Sequence, residues 1–204
     1  MSKTKNHIEK METLLADLRA RELEEKQSIL EDLYKLYQEQ PDETTALIYA
    51  EGLLNLTAFQ ELSDCETSVN RLSELSSRFP DDSSIALVYA KSLFNLTVEQ
   101  DLSGCEQTVK ELATLFSRFS EDSSIALAYA KGLVNLSAKQ DLLGREQTVG
   151  ELGHLSTRFS EDPFIALEYA KGLVNLSAEQ DLLGREQTVG ELGHLSTRFS
   201  EDPF

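Results

Sequence analysis

Three lysines and four asparagines recur at forty-residue steps: Lys91, Lys131 and Lys171, and Asn55, Asn95, Asn135 and Asn175. An ammonium group donates to carboxylates, and a carboxamide both donates and accepts. Rows of the two have the chemistry to hold an extended peptide backbone or an acidic tail. A plainer reading stands beside it. The asparagines can hydrogen-bond between adjacent helices, and the lysine stems can lie over apolar neighbours.

The more reactive side chains are few. Cys65 and Cys105 stand one period apart, as do His154 and His194. Equivalent residues of stacked helices sit roughly 8–10 Å apart, whereas a disulfide needs Cα atoms about 4.4–6.8 Å apart. Free thiols are expected, and no metal site between the histidines. The chain has no glycine-rich phosphate loop, histidine–cysteine cluster or nucleophile elbow. Paired acids such as Glu121-Asp122 recur where helices begin, and capping accounts for them. The reading is therefore non-enzymatic, with no cofactor.

These residues are positioned by a repeat. Ile125 to Phe164 and Ile165 to Phe204 differ only at Ala128 versus Glu168 and at Lys139 versus Glu179. The same step back reaches a copy from Ile85 to Ser124 and a more diverged one from Thr45 to Ser84. Self-similarity at this period marks a repeat architecture, in which each unit buries its apolar face on its neighbours.

Within one copy, Ile85, Ala86, Leu87, Tyr89, Ala90, Leu93, Phe94 and Leu96 follow a cap at Ser83 or Ser84. They cover too broad an arc for a surface helix, so this first helix must be buried on more than one side. Glu99 to Gly104 reads as a connection, and a second helix runs from about Cys105 to Phe119 with Val109, Leu112, Leu115, Phe116 and Phe119 on one side. Ser120-Glu121-Asp122 closes it where the preceding copy has Phe79-Pro80-Asp81. Arg145 and Arg185, in place of Cys65 and Cys105, read as surface charges at helix starts.

Ala86, Tyr89-Ala90 and Leu93 in the first helix, with Thr108, Leu112 and Leu115 in the second, resemble the signature of tetratricopeptide repeats over residues 41 to 204. The period of forty is longer than that family's, and the extra length is placed in the loop between the helices. The resemblance implies an all-α fold, a right-handed α-α superhelix of antiparallel helix pairs. It also implies a ligand groove on the concave side, lined by the first helices. Their expected exposed stripe reads Thr44, Ile48, Glu51, Asn55, then Ser84, Val88, Lys91, Asn95, then Ser124, Ala128, Lys131, Asn135, then Phe164, Glu168, Lys171, Asn175. Ile48 and Val88 would add apolar contacts there. The function implied is a scaffold for a protein or peptide.

Residues 1–40 do not repeat closely. Ile8, Met11, Leu14, Leu15 and Leu18 form one amphipathic stripe, and Ile29, Leu33 and Leu36 another. Two helices forming an atypical cap are expected, with a turn near Glu24; one continuous helix is the alternative. The four repeats that follow are read as one continuous solenoid domain. At the other end the last copy carries no polar closing helix, which terminal repeats normally need. A second functional class follows: a structural or self-assembling array, natural piece or engineered length, that associates through its C-terminal end.

Copies three and four look weaker inside. Phe116 becomes Ser156 and Ser196, Lys110 becomes Gly150 and Gly190, and Ala113 becomes Gly153 and Gly193. Leu143 and Leu183, replacing Ser103, are expected to refill part of the lost volume. A net charge of −17 disfavours nucleic acid, whose phosphates need a basic stripe. No run has the length of a transmembrane helix, and residues 1–30 lack the apolar stretch of a signal peptide. Asn-Leu-Thr/Ser is then a structural motif rather than a glycosylation site, and the expected location is cytoplasmic, away from membranes.

Overall fold

The computed structural model describes residues 3–57 and 62–199, and among these every regular element is α-helical. The chain divides into two compact units, Met1–Glu99 and Gln100–Phe204. The first contains α1 (Lys3–Ala20), α2 (Leu23–Glu39), α3 (Glu43–Thr57), α4 (Leu62–Arg78) and α5 (Ser83–Glu99). The second contains α6 (Leu102–Arg118), α7 (Ser123–Ser137), α8 (Leu142–Arg158), α9 (Pro163–Ser177) and α10 (Leu182–Arg198).

In the first unit α3 is central and packs on α1, α2, α4 and α5. This explains its composition: Ala46, Tyr49, Ala50, Leu53 and Leu56 point to several sides of the helix, and all are buried. Small residues let the neighbours approach. A Cβ on Gly52 would meet the Leu30 and Leu33 methyls at 3.1 Å. In the second unit α7 and α9 do the same, α7 packing on α6, α8 and α9. The second helices of the hairpins bury one stripe only. Val149, Leu152 and Leu155 of α8 are buried while Glu146, Gly150 and Glu151 face water. Residues 3–39 form two helices rather than one, separated at Arg21-Glu22, two residues before the expected turn.

Among the described residues, the connections before α6, α8 and α10 are shorter than their sequences suggest. Asp101 accepts a hydrogen bond from Gly104 N at 2.8 Å, which starts α6 at Leu102 rather than Cys105. Asp141 and Asp181 cap α8 and α10 in the same way, each at 2.9 Å. The residue before each cap is also fixed. Thr108, Thr148 and Thr188 hydroxyls donate to the side chains of Gln100, Gln140 and Gln180 at 2.8, 2.7 and 2.7 Å. The extra length of the period thus lies in long helices, not in a loop. Leu-Ser-Gly reads as a turn by composition, but a carboxylate cap makes it a first helical turn.

The first helices are capped by aspartate, not by the serines. Asp82 accepts from Ser84 N and Ile85 N at 2.8 and 3.0 Å, and Asp122 accepts from Ser124 N and Ile125 N at 2.9 and 3.1 Å. Asp162 repeats the arrangement with Pro163 at the first helical position, where a missing N–H costs nothing. Pro203 and Phe204 lie outside the described residues.

Candidate functional site

The asparagine row is built into the packing. Asn95 Nδ2 of α5 donates to Thr57 Oγ1 of α3 at 3.0 Å, while that hydroxyl donates to its own helix at Leu54 O, 2.8 Å away. In the other unit Asn175 Nδ2 of α9 donates to Ser137 Oγ of α7 at 2.9 Å and to Val134 O at 3.4 Å; Ser137 Oγ donates to Val134 O at 2.8 Å. Asn55 Oδ1 accepts from the buried Lys26 ammonium at 3.0 Å. Asn135 is half-buried. Within each unit the Asn-Leu-Thr/Ser motif thus forms one junction, in which the hydroxyl of one first helix accepts from the carboxamide of the next.

The stripe expected to be exposed is in large part buried. Ile48 is 8 % and Val88 7 % exposed, and their counterparts Ala128 and Glu168 are buried as well. Four-residue spacing put them on one face with the lysines, but α3, α7 and α9 are packed on more than one side. The lysines differ among themselves. Lys91 is exposed, Lys131 is half-buried, and Lys171 Nζ lies 2.9 Å from Glu168 Oε1, a carboxylate nearly closed off from water. Lys171 is therefore engaged in neutralising a buried acid.

Arg145 is not a free surface charge. Its side chain is half-buried, with Nε donating to Gln140 O at 2.8 Å and a second guanidinium nitrogen donating to Asn175 O at 3.0 Å. It ties the start of α8 to the end of α9. Leu143, expected to fill the space lost with Phe116, is 65 % exposed, and Leu183 is 75 % exposed. That space is approached instead by Arg198, whose guanidinium donates to the buried Ser156 Oγ at 3.1 Å.

A site of a different kind lies between α2, α3 and α4. Tyr37 and Tyr49 stack with ring centroids 5.7 Å apart, and Tyr34, 40 % exposed, tilts against Tyr49 at 5.3 Å. Two guanidiniums from α4, seven residues apart and so on one face, border these rings. Arg71 donates to Tyr49 Oη at 3.3 Å and lies 5.9 Å from the Tyr34 ring. Arg78 donates to Tyr37 Oη at 3.1 Å and lies 5.8 Å from the ring of that residue. The open cleft has a volume of about 430 Å³, with Glu74 and Leu75 completing its walls. Burial pushes the Tyr49 hydroxyl above its ordinary pKa. Both arginines are exposed, and only one N–H of each is accounted for by a tyrosine, so their forks can hold a carboxylate while Tyr34 offers an aromatic edge.

The second unit shows what the repeat has at these places. Tyr129 and Tyr169 donate to Glu151 and Glu191, and Phe116 stacks on Tyr129 at 5.8 Å. Arg71 stands where the later copies carry Glu111, Glu151 and Glu191, and that break in an otherwise regular acidic column was visible in the sequence. The tyrosines were not so marked, since Tyr34 and Tyr37 lie in the segment that does not repeat.

Cys65 and Cys105 are free and buried. Among the described residues no three His, Cys, Asp or Glu side chains are grouped to hold a metal ion. None of their helices is long and apolar enough to cross a membrane. No family model, no curated protein and no solved structure matches the chain.

Proposed function

We propose that the chain is a non-enzymatic protein-interaction scaffold, a right-handed solenoid of tetratricopeptide-like hairpins that holds a segment of a protein or peptide. The observation that carries this reading is the tyrosine–arginine cleft between α2, α3 and α4. It places two guanidinium forks beside an exposed aromatic ring in a chain whose net charge is −17. That local reversal of charge suits a carboxylate-bearing segment. The test is a screen of fluorescent peptides with acidic or free C-terminal ends against the wild-type chain and Arg71→Glu. The variant restores the residue type that later copies carry, so it is expected to fold. Binding lost in Arg71→Glu supports the cleft; binding unchanged there but lost in Lys91→Ala or in Lys131→Ala moves the site to the first helix that carries that lysine.

A second reading, association through the C-terminal end, is favoured by the exposure of Leu182, Leu183 and Val189 on α10. Light scattering over a wide concentration range tests it. A mass that rises with concentration supports assembly, and a constant monomer mass removes it.

A further inference from the structure

Tyr129 and Glu151 repeat the pair Tyr49 and Arg71 at the same separation, 22 residues, with the direction of the hydrogen bond reversed. Arg71 donates to the Tyr49 hydroxyl, whereas the Tyr129 hydroxyl donates to Glu151. A phenol can do either, so one cradle serves both signs of charge. The cavity beside Glu151 is built at the same places as the first cleft. Ala113, Phe116 and Tyr129 stand for Tyr34, Tyr37 and Tyr49, and Arg158 stands for Arg78. It lies between α6, α7 and α8, none of which adjoins an undescribed segment, and α9 already packs on α7 and α8.

The charge of this second cleft is the inverse of the first. Glu151 is exposed, and Tyr129 occupies only one of its two oxygens. The guanidinium nearby is already matched: Arg158 donates to Glu121 at 2.7 Å and lies 5.3 Å from the Phe116 ring. His154 takes the place of Glu74. Alanine instead of tyrosine at position 113 opens the wall beside the Phe116 and Tyr129 rings, which stack at 5.8 Å. The cavity, of about 250 Å³, continues at Ala113, Tyr129 and Glu151 into another of about 440 Å³, where Glu106 offsets Lys110.

We propose that this cleft is a second binding site, for a protein segment that presents an arginine or lysine side chain. The incoming cation meets the open oxygen of Glu151 and lies against the aromatic wall. Phe116 already receives a guanidinium in this manner from Arg158. The next copy does not repeat the site, because Gly153 and Ser156 remove the methyl and the ring beside Tyr169 and Glu191. The chain thus carries one cleft for an acidic segment and one for a basic segment. This extends the scaffold reading, and it does not require the first cleft to be occupied.

The probe is a fluorescein-labelled, end-blocked peptide of alternating arginine and alanine. It is titrated against the full chain by anisotropy at about 0.15 M salt, where long-range attraction is screened. Saturable binding is expected. Glu151→Arg should weaken it at least about tenfold, and Glu151→Gln, which still accepts from Tyr129, at least about threefold. Glu12→Arg, at an exposed position outside the cleft, makes the same change in net charge and should alter affinity by less than about twofold. Circular dichroism checks each variant, and Glu151→Gln decides if the arginine variant does not fold. Absence of saturable binding overturns the proposal, as does binding indifferent to both Glu151 variants. Equal losses in Glu151→Arg and Glu12→Arg overturn it in favour of bulk charge. Acidic peptides and Arg71→Glu report on the first cleft, so a failure there is read separately from a failure here.

Discussion

Gly172 and Leu152 meet across the α8–α9 contact without room for a methyl group: a Cβ on the glycine would stand 2.5 Å from the leucine Cδ1. Leu152 is completely buried, so its side chain has little freedom to turn away. Gly150 and Gly190, on helices of the same unit, have open space where a Cβ would go. Glycine thus has two opposite meanings within one repeat.

Substitution separates them. Gly150→Ala and Gly190→Ala should each stabilise the chain by roughly 0.5–1 kcal/mol, the ordinary gain from replacing glycine inside a helix. Gly172→Leu should destabilise it by about 1–3 kcal/mol, because overpacking exceeds that gain. Urea titrations followed by circular dichroism measure both. A stabilising Gly172→Leu would mean that the helices are not in this close contact.

The asparagine junctions give a second expectation. Asn95→Ala leaves the Thr57 hydroxyl without its incoming donor, and Asn175→Ala does the same to Ser137. Each should cost about 1 kcal/mol, the usual net worth of one hydrogen bond. A double-mutant cycle of Asn175→Ala with Ser137→Ala should show coupling of about 0.5–1 kcal/mol. Additive losses would mean that the two side chains act separately.

The contrast between these junctions and the tyrosine–arginine cleft shows which features a repeat makes legible. The alternation of broad and narrow apolar arcs in Ile85–Leu96 and Val109–Phe119 was enough to call for paired helices. It could not place the helix starts, because Asp101 and Asp82 override the composition of the residues that follow them. Nor could four-residue spacing reveal which side of a multiply packed helix faces water, so Ile48 and Val88 were expected outside and are inside. The cleft depends on Tyr34, Tyr49, Arg71 and Arg78 converging from three helices. No periodicity encodes that convergence, and its one sequence mark is the arginine in an acidic column.

The two thiols set an alkaline limit on stability. Burial pushes Cys65 and Cys105 from an ordinary value of 9.0 up to about 11. Between these values the unfolded chain releases protons that the folded chain retains, so stability is full below about pH 9 and declines as pH rises through about 11. Burial and the neighbouring carboxylates also raise the Tyr129 and Tyr169 hydroxyls, which adds to the decline in the same direction. Urea midpoints measured across this window should fall, and Cys105→Ala should lower stability near neutrality while making the fall shallower. At neutral pH the native thiols should react with Ellman's reagent far more slowly than in the urea-unfolded chain. Rapid native labelling would contradict their burial.

The matched pair α8 and α10 allows the sharpest test of where this fold is weak. Their sequences are the same, so intrinsic helix propensity and intrinsic exchange chemistry are the same for nearly every amide. Any difference in protection must come from tertiary contact. Val149, Leu152 and Leu155 are closed under α9, whereas among the described residues of α10 only Thr188 is buried. Helices of this length are marginal without packing, and opening free energies follow local burial. Amide hydrogen exchange should therefore be faster throughout α10 than at the matching positions of α8, with the largest ratios around Val189 and Leu192. The Asp181 cap acts at the other end of the helix and should slow only its first turn. Equal protection in the chain alone would show that hairpin pairing with α9 suffices to hold α10, and that the open face carries no stability cost.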